Sequence, residues 1–468
     1  MATPPKPLDR SLIEGPIGRA VWRMAWPTMI QNMLAGLQGV VDHALVGHFV
    51  GFTANAAIGV SWQIFLVVMV FISSLFTGMG VLAARFAGAG DPTKVNLVVY
   101  QAFLTALILS VLVLAPIGYV VAPSLLSLVH ATAAVQQEAL PFLRIMFTCS
   151  FGMLVFFMLG GAMRSAGDAK TPLRMGIAIM ILNVVFNIIL IRGLGPIPAF
   201  GTAGAATGTA LANALVAAYA IRQLFGGHWV VSFKGLPSYR ADFTVIRELF
   251  RFGLPAGIQG IAMNIGGVFL LRYIGGLERS AEAQAAWAVS YVELFSFITW
   301  TSLGLMGAAA SVAGQNLGAG QPDRAARAVR VAASIGLGVA SVIGLSFVLV
   351  PRQLLLVFGM TDPNASAIAV QLLGYLAVSG LFISVALSYT GGLQGTGDTR
   401  SPLVISIVSQ IIIPLGMCAI IQSLRPLQPA DIWLAVVLGH ATRGALSVIR
   451  FRQGKWRQIE VELHGARA

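Results

Sequence analysis

Apolar runs long enough to cross a bilayer recur twelve times along this chain, near residues 20–49, 54–86, 95–122, 132–160, 172–194, 202–226, 245–275, 283–316, 324–350, 364–395, 401–423 and 429–450. The hydrocarbon core of a membrane needs about 20 helical residues to span it. In that solvent every backbone N–H and C=O must be satisfied internally, which leaves only helices and closed barrels. Barrel strands would read as short alternating segments, and no such pattern occurs here. The expected fold class is therefore all-α integral membrane, with twelve transmembrane helices. Composition agrees: 57% of the 468 residues are hydrophobic and 10% are charged, with a mean hydropathy of +0.83. A soluble domain carries about a quarter charged residues, so this chain has too little polar surface to stay in water.

The net charge of +13 invites a nucleic-acid reading, which its distribution argues against. Alternation along the twelve spans assigns six of the 30 Lys and Arg residues to one side: Arg144, Arg192, Arg272, Arg279, Arg352 and Arg425. The other 24 fall on the side of both termini, with Arg222, Lys234, Arg240, Arg247 and Arg251 between spans six and seven. Such asymmetry is the positive-inside pattern, so both termini are expected on the cytoplasmic side. The basic residues then meet anionic lipid headgroups rather than nucleic acid. The N-terminal MATPPKPLDRSLIEGP is polar and lacks a short apolar h-region, so the first span is expected to act as the insertion signal. Cys149 and Cys418 lie inside spans, where small buried apolar residues are the expected reading.

The halves repeat at an offset of 228 to 230 residues. WPTMIQ (Pro27, Gln31) aligns with LPAGIQ (Pro255, Gln259), GAGDP at Gly88 with GAGQP at Gly318, PSLLSLV at Pro123 with PRQLLLV at Pro351, and SAGDAKTPL at Ser165 with GTGDTRSPL at Gly395. Each half holds an even number of spans, so both enter from the same side. That predicts two six-helix bundles in parallel pseudo-two-fold symmetry, as in rocking, alternating-access carriers. The expected organisation is a cytoplasmic tail over 1–18, a bundle over 19–226, a cytoplasmic linker over 227–244, a second bundle over 245–450 and a basic tail over 451–468. Pro27 and Pro255 sit inside spans one and seven, where a lost backbone hydrogen bond can kink a helix. They are candidate conformational hinges.

These paired motifs, GAGDP with VAGQNLGAGQPDRA and SAGDAKTPL with GTGDTRSPL, resemble those of the multidrug and toxic compound extrusion (MATE) family. The resemblance covers nearly the whole chain. It implies a twelve-helix carrier that exports small amphipathic, cationic organic compounds in exchange for protons or sodium ions. Asp42 in GVVDHALVG matches the family's aspartate of the first span. The DNA-damage-inducible branch carries an Asn and an Asp four residues apart in span five; here these positions are Asn183 and Asn187 in ILNVVFNIIL. GAATGT places Thr209 at the polar position of span six. The acidic residue of span ten in the sodium-type branch has no counterpart, which brings the chain closer to the first branch. Glu293 in SYVELFSF matches a glutamate common in prokaryotic members.

Asp42 falls late in span one, Asn183 and Asn187 late in span five, and Thr209 and Asn213 early in span six. All lie at one depth, in the outer half of the first bundle. The Asn183/Asn187 and Thr209/Asn213 pairs are each spaced i,i+4, which puts each pair on one helix face. A charged carboxylate near the membrane centre costs roughly 3 kcal/mol on insertion scales. Neutral amides and a hydroxyl can hydrogen-bond it in either protonation state, which suits a group that loads and unloads a proton or cation. The competing reading pairs Asp42 with Arg144. Glu293 is a further candidate ion or substrate group, alternatively a structural partner of Arg272. His43 and His48 flank Asp42 at a spacing poor for one face, so no metal site is expected, and no cofactor beyond the coupling H⁺ or Na⁺. A monomer suffices.

A lipid-linked precursor flippase of the same wider superfamily is the nearest alternative; it calls for a more cationic cleft than Arg144 and Arg272 provide. A polytopic prenyl or acyl transferase would carry paired aspartates or a nucleophile with its base, and neither is found. The charge split carries a direct test of topology. A cysteine placed at Ser238 is expected to resist a membrane-impermeant thiol reagent in intact cells and to react after permeabilisation.

Overall fold

The structure, a computed structural model, describes residues 8–129 and 131–461, so the outer parts of the expected tails (1–7 and 462–468) lie outside the described residues. Those residues form a chain of long helices: α1 (Ile17–Phe49), α2 (Phe52–Gly88), α3 (Pro92–Leu128), α4 (Ala133–Thr148 and Phe151–Ser165), α5 (Lys170–Arg192), α6 (Gly201–Gly226), α7 (Phe243–Gly275), α8 (Ser280–Gly318), α9 (Pro322–Leu349), α10 (Pro363–Gly395), α11 (Arg400–Leu424) and α12 (Pro429–Arg452). Ten are each long and apolar enough to cross a membrane, and α4, bent by 53° at its break, makes eleven. The remaining helix, α1, has spanning length at 33 residues but carries Arg19, Arg23, Asp42, His43 and His48. The protein is thus an all-helical, multi-pass membrane protein. Among the described residues the sole β-type pairing is an isolated bridge, Leu194 with Ile197.

The repeated motifs turn out to be helix-to-helix turns. In GAGDP, Gly90 takes φ 76°, and Gly320 of GAGQP takes φ 72°. The Asp91 side chain accepts from Lys94 N and Pro92 opens α3, an N-cap followed by proline. In the second motif Gly167 and Gly397 have φ 95° and 103°, a region that side chains with a Cβ rarely enter. Asp168 accepts from Lys170 N, Thr171 N and Thr171 Oγ1, starting α5. Asp398 does the same for Ser401 at the start of α11 and also holds Arg450 at 2.8 Å. These residues reverse the chain at the membrane boundary while satisfying the orphan N–H groups of the next helix.

Several spans are interrupted. Wider π-type turns occupy Leu109–Leu114 in α3, Ala288–Leu294 in α8 and Val408–Ile412 in α11. The first and third end two residues before Pro116 and Pro414, which lack an N–H and crowd the carbonyl one turn back. No proline accounts for the second, which contains Glu293.

Residue contacts divide the chain into two compact units. One comprises 30–254, and the other Arg10–Met29 with Pro255–Val461. The division therefore cuts α1 two residues after Pro27 and α7 immediately before Pro255. Inside each unit helices approach through glycines. A Cβ on Gly391 or Gly395 of α10 would stand 2.1 Å from the carbonyl oxygen of Met306 or Ala310 in α8. In the first unit a Cβ on Gly78 would meet Leu249 O at 2.1 Å. Lipid tails are as apolar as leucine, so close backbone packing replaces the hydrophobic effect as the association force. The matched glutamines also make matched contacts: Arg164 Nη1 of α4 donates to Gln31 Oε1 (3.5 Å), and Gln394 Nε2 of α10 donates to Gln259 Oε1 (3.3 Å).

Replacing Gly391 by valine is expected to destabilise the protein by about 2 kcal/mol or more, since helix backbone must move. Gly374→Ala on the same helix, where a Cβ meets nothing within 4 Å, should be nearly neutral. Thermal unfolding in detergent distinguishes the two.

Candidate functional site

The polar residues of spans one, five and six meet in the first unit. Helices α5 and α6 run antiparallel and touch through Gly204 and Gly208. A Cβ on Gly204 would lie 2.4 Å from Leu190 O, and one on Gly208 would lie 2.1 Å from Asn187 Oδ1. The absence of those Cβ atoms lets Asn183 Nδ2 reach Thr209 Oγ1 at 2.9 Å. One turn further along α5, Asn187 Nδ2 donates to Asp42 Oδ1 at 2.8 Å and to Asn183 Oδ1 at 3.3 Å. Thr209 Oγ1 donates to Ala205 O, and Asn213 Nδ2 to Thr209 O. Three helices thus share one hydrogen-bonded chain that ends on a carboxylate.

This chain is sealed from the surroundings. Asp42 is 3% exposed, Asn183 and Asn187 0%, Thr209 2% and Asn213 4%. A cavity of about 10 Å³, close to one water-sized probe, reaches Thr209 and Asn213 beside Ser150 and Met153. It is too small for an organic molecule. Asn187 Oδ1 is buried with no hydrogen-bond partner, an acceptor left unused at the heart of the cluster. Among the described residues no Lys, Arg or His pairs with Asp42. Arg144, the partner considered from sequence, instead stacks on Tyr119 at 4.3 Å and donates Nε to Tyr119 O. His43 Nδ1 lies 2.6 Å from Asn55 Oδ1. No group of three His, Cys, Asp or Glu side chains among the described residues could hold a metal ion.

The other candidates lie apart from this chain. Glu293 belongs to the second unit, half-buried in the π-type turn of α8. Arg272 is exposed, and the described residues contain no ion pair between it and Glu293. Pro27 is buried within α1 and Pro255 half-buried within α7. Cys418 is buried; Cys149 is exposed, against the expectation of a buried residue.

Two features escaped sequence reasoning. The first is the glycine pair 204/208, whose G-x-x-x-G spacing was there to be read as a close-packing signal. The second is Arg443 in α12, counted above among cytoplasmic charges. It is 3% exposed beside Tyr291 and His440, and its Nε has no partner. Its position nine residues before the helix end was the available clue.

Comparison with known proteins follows the same lines. The family model MatE matches residues 27–189 and 255–420, one match per half. The probable multidrug resistance protein NorM of Thermotoga maritima is 24% identical over 450 residues, spanning 95% of this chain and 94% of that protein. The multidrug export protein MepA of Staphylococcus haemolyticus is 24% identical over 451 residues, spanning 93% and 96%. A solved structure described as the outward-facing conformation of a multidrug resistance MATE family transporter of the MOP superfamily superposes with a TM-score of 0.88 at 20% identity, covering 98% of this chain and 100% of that one.

The hydrogen bond between Asn187 and Asp42 can be tested by a double-mutant cycle. Asn187→Ala is expected to cost about 1–3 kcal/mol, because it strands buried partners. In the Asp42→Asn background the same change should cost less, with a coupling of at least about 0.5 kcal/mol. Thermal unfolding of the four proteins in detergent gives the coupling directly.

Proposed function

The chain belongs to the MatE family, and from that premise we propose that it is a secondary active multidrug efflux transporter. It expels small amphipathic, cationic organic compounds in exchange for protons or sodium ions, by alternating access. It is a transporter and not an enzyme. The names of the relatives, multidrug resistance and multidrug export proteins, support export of small organic compounds. The observation that carries the coupling reading is Asp42: a buried carboxylate inside a membrane span, held by a neutral amide and, among the described residues, by no cation.

The cluster is suited to exchange a small ion. Asn187 donates to Asp42 through its Nδ2, so the charged carboxylate is stabilised without being neutralised. When Asp42 takes up a proton it becomes a donor, and the Asn187 side chain can turn its carbonyl oxygen to accept. With a sodium ion, the Asp42 carboxylate and the unused Asn187 Oδ1 would supply hard oxygen ligands. Asn183, Thr209 and Asn213 follow either change through the shared hydrogen bonds. In this reading a proton or sodium ion entering from outside resets the first bundle as substrate leaves, and its departure to the inside readies the site for another. Pro27 and Pro255 serve as hinges, a role supported by the division of α1 and α7 into separate units beside these residues. Glu293 is a second candidate ion or substrate group, in the other unit. The protein is placed in the inner membrane with both termini cytoplasmic, working as a monomer against anionic headgroups on that side.

Asp42→Asn decides the matter. The variant should insert and fold at least as well as the parent, because a costly charge has gone. In vesicles energised by an imposed proton or sodium gradient, applied separately, it should lose export of a cationic dye such as ethidium by more than about tenfold, ~1.4 kcal/mol of coupling. An Asn variant that still pumps against a gradient would make Asp42 structural and move the coupling group to Glu293.

A further inference from the structure

A groove of about 310 Å³ opens between the start of α5 and the end of α6. One end holds Arg174, Tyr219 and Trp229, and the other runs along Ala178, Leu182 and Leu215. Its polarity follows from chain direction. Arg174 is four residues into α5 and Tyr219 seven residues from the end of α6, so both sit near the same membrane boundary. Leu182 lies eight residues deeper, about 12 Å at 1.5 Å per residue. That covers most of one leaflet of a hydrocarbon core about 30 Å thick.

The loop after α6 completes the groove. Gly227 turns the chain in the left-handed region (φ 77°), His228 N bonds back to Gln223 O, and Phe233 N bonds to Leu224 O. This reversal brings the Trp229 ring edge-on to Tyr219 at 6.1 Å. Tyr219 is 53% exposed and Leu215 52%, so the groove opens onto the outer surface of the helix pair. Arg174 is exposed as well, and among the described residues it has no ion-pair partner. The nearby Asp168 is committed to capping α5.

We propose that this groove is a binding site for one anionic phospholipid, its phosphate held by Arg174 beside the Tyr219–Trp229 ring pair and one acyl chain lying along Ala178, Leu182 and Leu215. The chemistry fits at both ends. A guanidinium offers paired donors to a phosphate, amphipathic aromatic rings prefer the headgroup level, and the apolar walls continue inward along the direction of the lipid tail. Basic pockets between membrane helices suit such headgroups. The inference rests on the cytoplasmic placement of this boundary proposed above, where anionic lipid would supply the site.

Native mass spectrometry of the full-length protein in detergent tests it without reference to membrane sidedness. Phosphatidylglycerol is expected to bind more tightly than phosphatidylcholine of the same chains, by about fivefold for one interfacial cation. Arg174→Gln should abolish that preference, while Arg330→Gln, an exposed basic residue of the second unit, should leave it intact. Trp229→Ala should weaken both lipids. Equal loss in Arg174→Gln and Arg330→Gln would mean diffuse attraction and overturn the site, as would a preference that survives Arg174→Gln. Arg174-dependent binding of free glycerol 3-phosphate as tight as that of the lipid would assign the site to a soluble phosphate instead. Failure of the cytoplasmic assignment would show separately, in the labelling at residue 238.

Discussion

The price of an unsatisfied polar group in hydrocarbon governs this molecule at every level. It forces the backbone into helices, which satisfy their own hydrogen bonds. It gathers the capping chemistry at the chain reversals, where Asp91, Asp168 and Asp398 meet the free N–H groups of the following helices. It also accounts for the one carboxylate that the first unit keeps deep in a span. Asp42 persists there because Asn187 reaches it, and Asn187 does so because α5 and α6 touch at two glycines.

The duplicated halves separate scaffold from site. Turn glycines, the capping pair Asp168 and Asp398, and the glutamine contacts recur in both. The polar cluster does not. At the repeat offset Asp42 corresponds to Leu270, and Asn183 and Asn187 to Ile413 and Met417. Duplication has preserved what the bundle needs in order to fold, while the second unit buries a different set: Arg443 and His440 on α12 against the stacked rings of Trp287, Tyr291 and Phe295. The two halves of this chain therefore share their turns and packing but differ in the polar groups they bury.

The interruptions of the spans belong to the same economy. Two of the three π-type turns end two residues before a proline, where a wider turn relieves the crowded carbonyl. The third, carrying Glu293, has no proline to relieve. That turn carries an acidic side chain, half-buried in the second unit.

Much of this was legible in the sequence, for stated reasons. Span number, helical class and the doubling of the chain follow from length and hydropathy, because a bilayer accepts few solutions. Asp42 stood out as a carboxylate inside an apolar run, while Asn183, Asn187 and Thr209 were named through the family resemblance, with i,i+4 spacing placing the two asparagines on one helix face. Which of them touch, and in what direction the hydrogen bonds run, depended on how α1, α5 and α6 pack. Spacing along a chain cannot decide whether Arg144 or Asn187 reaches Asp42; the rotation of three helices about their axes does, and Tyr119 takes the arginine. The burial of Arg443 was missed for the same reason, because a charge near a helix end reads as solvated until the neighbouring helices are seen to enclose it. The groove at Arg174 is likewise a property of the tertiary structure, since only the backward turn at Gly227 sets Trp229 beside Tyr219.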